Sequence, residues 1–153
     1  MTRCVHSALS IIEKYRLHSP PTVKTLYAML LGEGVLVCSY RLAGRLAAVY
    51  CRTPDDVAVL AVRRGMPPEQ LRPALALGLA QHALCPRPGV YVPGLEPPAA
   101  RRELERFAAL VLVPPGALAR GDATADTGRL ADRAGIPVLL AARRLEVAKH
   151  FGV

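Results

Sequence analysis

Tryptophan is absent from this 153-residue chain and phenylalanine occurs only twice, so a core rich in large aromatic rings is excluded. The core has to be aliphatic, because Ala, Leu and Val supply most of the 52% apolar residues. No uninterrupted apolar run approaches the ~20 residues that cross a bilayer as a helix. The opening stretch Met1-Thr2-Arg3-Cys4-Val5-His6 lacks the apolar centre of a signal peptide. Cys4, Cys38, Cys51 and Cys85 form no Cys-x-x-Cys pair, which argues against a zinc ribbon or a redox motif. These absences predict a cytoplasmic protein with reduced thiols and no membrane association.

What the chain has in excess is positive charge. Lys and Arg number 20 against 12 Asp and Glu, a net charge of +8. Such a balance favours an acidic partner: DNA, RNA or an acidic protein face. A high-GC codon preference for Arg, Ala, Pro and Gly accounts for the same excess without any partner. The length suits one domain, residues 1–153, around one core.

Hydrophobic periodicity predicts a helix over residues 5–17, with Val5, Leu9, Ile12 and Arg16 on one face. Ser19-Pro20-Pro21 ends it, and Thr22 can cap a second helix over 22–31 that stops at Gly32. Three β-type runs follow, Val35 to Leu42, Ala47 to Arg52 and Val57 to Arg63, separated by turn residues. They predict a three-stranded antiparallel meander over 35–63. Pro67-Pro68-Glu69 opens a helix over 67–84, with prolines tolerated in its first turn. Only Gln70, Arg72, Gln81 and His82 interrupt its apolar surface, so most of it should be buried. Five prolines make 86–98 a stiff connector, and a helix over 99–112 ends at Pro114-Pro115-Gly116. Residues 116–126 read as a mobile polar segment. A helix pair at 127–150, with Gly135 in its turn, closes the chain. The fold class is α+β, mostly helical.

One stretch carries an absence of chemistry. A zinc peptidase helix needs two His one turn apart, with a Glu beside the first as general base. In Arg72-Pro73-Ala74-Leu75-Ala76-Leu77-Gly78-Leu79-Ala80-Gln81 the corresponding positions are Leu77, Gly78 and Gln81. Further on, Arg101-Arg102-Glu103-Leu104-Glu105-Arg106-Phe107-Ala108 leads through an apolar run to Pro114. Then Leu130-Ala131-Asp132-Arg133-Ala134-Gly135-Ile136-Pro137 ends in Arg144-Leu145. In this order and spacing the blocks resemble the ImmA/IrrE family of small metallopeptidases over nearly the whole chain. That family reads Arg-Phe-Thr-Leu-Ala-His-Glu-Leu-Gly-His on its active-site helix and places a third metal ligand, a Glu, six residues before a Phe. Here that Glu falls on Arg101, which repels a cation. The resemblance therefore implies a scaffold without its HExxH motif and without its third ligand.

Other groups are available for a metal. His82 and Cys85 lie one turn apart, and Glu103 follows on the next helix. The plainer reading is that His82 satisfies a nearby carbonyl, and that Glu103 and Glu105 form a solvated face pairing with Arg102 and Arg106. No catalytic residue, metal ligand or cofactor is expected. Leu77, standing where active relatives carry a ligand, should be buried against the meander or against Leu104 and Phe107.

The resemblance implies a catalytically inactive, pseudo-metallopeptidase module with a protein partner. Family members typically act on helix-turn-helix repressors of phage, mobile-element or stress regulons. An alternative is a DNA-binding regulator in which the C-terminal pair acts as a helix-turn-helix and Arg143, Arg144 and Lys149 meet the nucleic acid. Against it, Val138, Leu139 and Leu140 leave few polar groups at the end where base readout occurs. A third reading is an active metallopeptidase with a non-standard site built from His82, Cys85 and Glu103.

Overall fold

A computed structural model describes residues 1–124 and 126–153. Its elements run α1 (Arg3–Lys14), α2 (Val23–Gly32), β1 (Val35–Tyr40), β2 (Ala48–Arg52), β3 (Ala58–Arg63), α3 (Pro68–Leu84), β4 (Gly89–Tyr91), α4 (Pro98–Leu112), α5 (Thr127–Ala134) and α6 (Val138–Phe151). The class is α+β, with helices in the majority.

The sheet corrects the expected meander. It has four strands in the order β1-β3-β2-β4, and β1 runs parallel to β3 while the other two pairs are antiparallel. A tight turn explains the β2–β3 hairpin: Thr53 N–H donates to Val57 O, Val57 N–H donates to Thr53 Oγ1, and Asp56 takes a left-handed φ of 66°. By contrast residues 41–47 are too many for a tight turn, and they carry the chain past the end of β3. Arg63 holds them there. Its Nε donates to Leu46 O at 2.8 Å, and its Nη2 donates to Gly44 O. β3 therefore slips between the first two strands. β4, placed in the proline-rich connector, pairs through Tyr50↔Tyr91 and Arg52↔Gly89.

Sheet alternation sets one face against the helices. Ala58, Leu60 and Val62 of β3 are buried on that face, together with Ala48 and Tyr50 of β2. α3 lies across it and contacts both strands. Gly78 is what lets α3 come so close. A Cβ built there would stand 2.3 Å from Leu60 Cδ2, and Leu60 is itself fully buried. α4 packs against α3, α1 and α6, so the aliphatic core spreads around Leu75, Leu79, Phe107 and Leu110.

Helix ends follow local chemistry. Thr22 Oγ1 accepts from Thr25 N–H at 3.2 Å and caps α2. Asp126 caps α5 through Gly128 N–H, and Gly135 ends it at φ 63°. α1 stops three residues short of the expected end because Arg16 turns into the left-handed region at φ 52°. Within 116–126, expected to be a mobile polar segment, there is a 3₁₀ turn at Asp122–Thr124, and a second covers Pro115–Ala117. Asp122 joins the segment to α5 by pairing with Arg133, and Ala125 lies outside the described residues.

Candidate functional site

The end of α3 and the start of α4 diverge and leave a pocket of about 540 Å³. Leu84, Tyr91, Leu95 and Leu104 give it an apolar lining. Gln81, Cys85, Cys4 and Glu103 bring polar atoms to its walls, and Arg3 stands among the lining residues.

Most of that polar chemistry is already engaged. Cys4 is buried, its Sγ lies 3.2 Å from Thr2 Oγ1, and burial with the Glu103 carboxylate beside it pushes the thiol up to about 11. A thiol so raised stays protonated near neutrality and is a poor nucleophile. Burial also raises the Cys85 thiol. Glu103 accepts from Arg106 Nη1 at 2.7 Å, and Glu96 accepts from Gly94 N–H at 2.7 Å. No activated nucleophile with an adjacent base stands here.

The positions carried over from the resemblance are dispersed rather than gathered. Gln81 is buried at the pocket wall, whereas Leu77 is only half-buried, so the expectation that it would be closed off is not met. It is partly buried and packs against the edge of the core. Gly78 faces β3, and a carboxylate in its place would meet Leu60 instead of solvent or a metal. Arg101 is exposed and turns away to the 94–96 loop, with Nη2 donating to Gly94 O at 2.8 Å. On α4 it is Ala100, Glu103 and Leu104 that face the pocket.

His82 and Cys85 do not form half a site either. Cys85 lines the pocket, whereas His82 belongs to a network on the sheet with Tyr50 and Arg52. Tyr50 Oη donates to His82 Nδ1 at 2.8 Å, and Arg52 Nη2 lies 3.0 Å from the same nitrogen. A guanidinium can only donate, so Nδ1 is the acceptor and the ring is neutral with its proton on Nε2. The Glu33 backbone meets the ring as well. Burial first, and then the Arg52 charge, hold the His82 pKa below its usual value. Arg52 Nη2 further donates to His82 O at 3.2 Å. This is the plain reading of His82, extended by two partners, Tyr50 and Arg52, that lie 32 and 30 residues away and leave no local spacing signal. Among the described residues no group of three or more His, Cys, Asp and Glu is placed to hold a metal ion.

The C-terminal pair gives its basic residues other work. Arg144 is fully buried and cannot reach a phosphate. Its Nε donates to Val113 O and its Nη1 to Val153 O, both at 2.6 Å, and burial lowers its pKa to about 10. Arg143 pairs with Glu105 at 2.8 Å and with Glu146 at 3.3 Å. Lys149 is exposed, and at the other end of α6 Val138 and Leu139 face solvent. Glu105 is buried rather than solvated, whereas Glu103 does pair with Arg106. Among the described residues no helix is long and apolar enough to cross a membrane.

Compared with known proteins, the chain matches no family model, no curated protein and no solved structure.

Proposed function

We propose that this protein is a non-catalytic interaction module of the ImmA/IrrE-like kind, whose α3–α4 pocket receives part of a protein partner. The resemblance makes a helix-turn-helix repressor of a phage, mobile-element or stress regulon the first partner to test. The observation that carries the reading is the pocket itself: an apolar cavity of about 540 Å³ whose carboxylates are engaged and whose thiols are raised by burial. Cavities of this size with few polar groups suit the insertion of apolar side chains. They lack the base, nucleophile and metal ligands that hydrolysis of a peptide needs.

Leu95 is well exposed on the pocket rim and takes a photo-crosslinking side chain without loss of core packing. Expressed in its native cell, that variant should capture a helix-turn-helix repressor, and Ala100→Trp, which fills the pocket mouth, should abolish the capture. Capture that ignores Ala100→Trp removes the pocket from the reading. Stoichiometric zinc in the purified protein together with peptide cleavage overturns it altogether.

A further inference from the structure

α3 packs on one face of the sheet, and the side chains of the opposite face are partly or largely exposed. Alternation from the register places Leu36, Cys38 and Tyr40 of β1 beside Val59, Ala61 and Arg63 of β3 on that outer face. Val49 and Cys51 of β2 continue it. Leu36 is 56% exposed and Tyr40 58%, and the other six are each partly open to solvent. A sheet with one solvated face normally alternates apolar inside with polar outside. Val90 of β4, the register partner of Cys51 and 66% exposed, extends the face, so eight of the nine outward positions are apolar and Arg63 is the exception. Contiguous apolar surface of this kind marks a contact site.

Charge is polarised along the strands. Arg41, Arg45, Arg63 and Arg64 stand together at the end where β1 and β3 finish, because Arg64 N–H donates to Tyr40 O and Arg63 grips the 41–46 loop. Among the described residues none of the four forms an ion pair. The acids of this region, Glu33, Asp55 and Asp56, lie at the opposite end.

Size then selects the occupant. Three strands spaced ~4.8 Å apart, five or six residues long, offer a face of roughly 10 Å by 20 Å, and the three-residue β4 extends only one edge of it. That is a few hundred Å², well below the ~800 Å² per partner of a stable dimer. It does match one α-helix, about 10–12 Å across, over roughly 13 residues. Layered folds cover a sheet with helices, as α3 does on the other side. A nucleic acid would use the arginines and Tyr40 but would leave the aliphatic side chains without a role.

We infer that the outer sheet face docks an amphipathic helix of a partner protein, with carboxylates over the arginine end. The helix lays its apolar stripe across β1, β3 and β2 and directs its acidic residues to Arg41, Arg45 and Arg64. This face adjoins the α3–α4 pocket at the β4 edge, where Val90 lines the pocket, but it rests on its own residues and stands whether or not that pocket takes a partner.

Two fluorescein-labelled 14-residue peptides test it, both with Leu at helical spacing on one face, one carrying Glu and the other Lys on the opposite face. The Glu peptide should bind the full chain saturably by anisotropy and protect Cys38 and Cys51 from iodoacetamide, read by mass spectrometry. Leu36→Lys with Tyr40→Lys should weaken binding at least tenfold. These two positions are exposed enough that the fold is retained, and Val59→Lys provides a second variant. Arg41→Glu with Arg64→Glu should weaken the Glu peptide and let the Lys peptide bind. Equal binding of both peptides to the native chain, or of neither, overturns the inference. So does a single-stranded oligonucleotide whose binding responds to the arginine changes alone, or a dimer seen by light scattering that Val59→Lys dissociates.

Discussion

His82 is neutral in the fold because Nδ1 must accept from Tyr50 and Arg52, and this makes stability depend on pH. Its folded pKa lies below the ordinary 6.5, so the unfolded chain takes up a proton first as the pH falls. Stability from this group is therefore complete above about pH 7 and declines as acid approaches and passes 6.5, levelling off below the folded pKa. The urea midpoint of the native protein should fall between pH 7.5 and 5.5, and His82→Asn should flatten that slope. An unchanged slope in the variant assigns the pH dependence elsewhere. Arg144 makes the opposite point about charge. Its guanidinium serves two backbone carbonyls, the buried one of Val113 and the part-buried one of Val153, so Arg144→Ala should cost about 2–4 kcal/mol in denaturant unfolding. A variant of native stability would show that water satisfies Val113 and Val153 instead.

At the scale of elements, the contact between α3 and β3 decides what this helix can carry. Gly78→Ala drives a methyl group into Leu60 and should destabilise by roughly 1–3 kcal/mol. Pairing it with Leu60→Ala should recover part of that loss, because the second change makes room for the first. Strict additivity of the two changes would mean that the helix moves away from the sheet as a body. Rebuilding the metallopeptidase motif meets the same obstacle. Gly78→Glu would bury an unpaired carboxylate against the core, and should cost more than Gly78→Ala does. The strand order is an element-scale property too. Arg63→Ala releases the crossover loop from Gly44 and Leu46 and should lower stability while leaving the β2–β3 hairpin, which has its own turn bonds, as the better protected part in hydrogen exchange.

The whole molecule separates its charge into two kinds. Around α4 and α6 several basic groups are consumed internally: Arg102, Arg106 and Arg143 converge on Glu146, with Glu103 and Glu105 alongside. At the sheet end Arg41, Arg45 and Arg64 remain exposed, so part of the +8 charge lies beside the apolar sheet face. Binding at that face should consequently weaken with added salt, whereas unfolding free energy should respond much less. The pocket lies between α3 and α4 and the apolar face spans β1, β3 and β2, and the two adjoin at Val90 of β4.

Much of the helical frame was legible because it depends on near neighbours. Pro67-Pro68-Glu69 and the break before Pro86 bound α3 closely, Thr22 caps α2 as its hydroxyl allows, and Thr127 to Ala134 is a helix with Gly135 in its turn. Three of the four strands were legible as segments for the same reason, since alternation is local, whereas β4 falls in the stretch that reads as a stiff connector. Their order was not. It depends on Arg63 reaching the 41–46 loop and on Tyr91 finding Tyr50, contacts between residues far apart in the chain. The pocket was half legible: Gln81, Cys85 and Glu103 stood out as residues, but nothing in their spacing brings Cys4 and Arg3 to the same walls.

By itself the sequence determined that the core is aliphatic, that helices outnumber strands and that the helix at 68–84 lacks a metal-binding His-Glu-His set. Each of these follows from residue type and short-range periodicity. Only the tertiary structure decided which of the basic residues are free, because burial and ion pairing depend on neighbours that the fold supplies. It also decided that Gly78 is a close contact to β3 and that an apolar sheet face is left uncovered. Alternation shows that a strand has two faces, but whether a helix layer covers each one is settled only when the chain is packed.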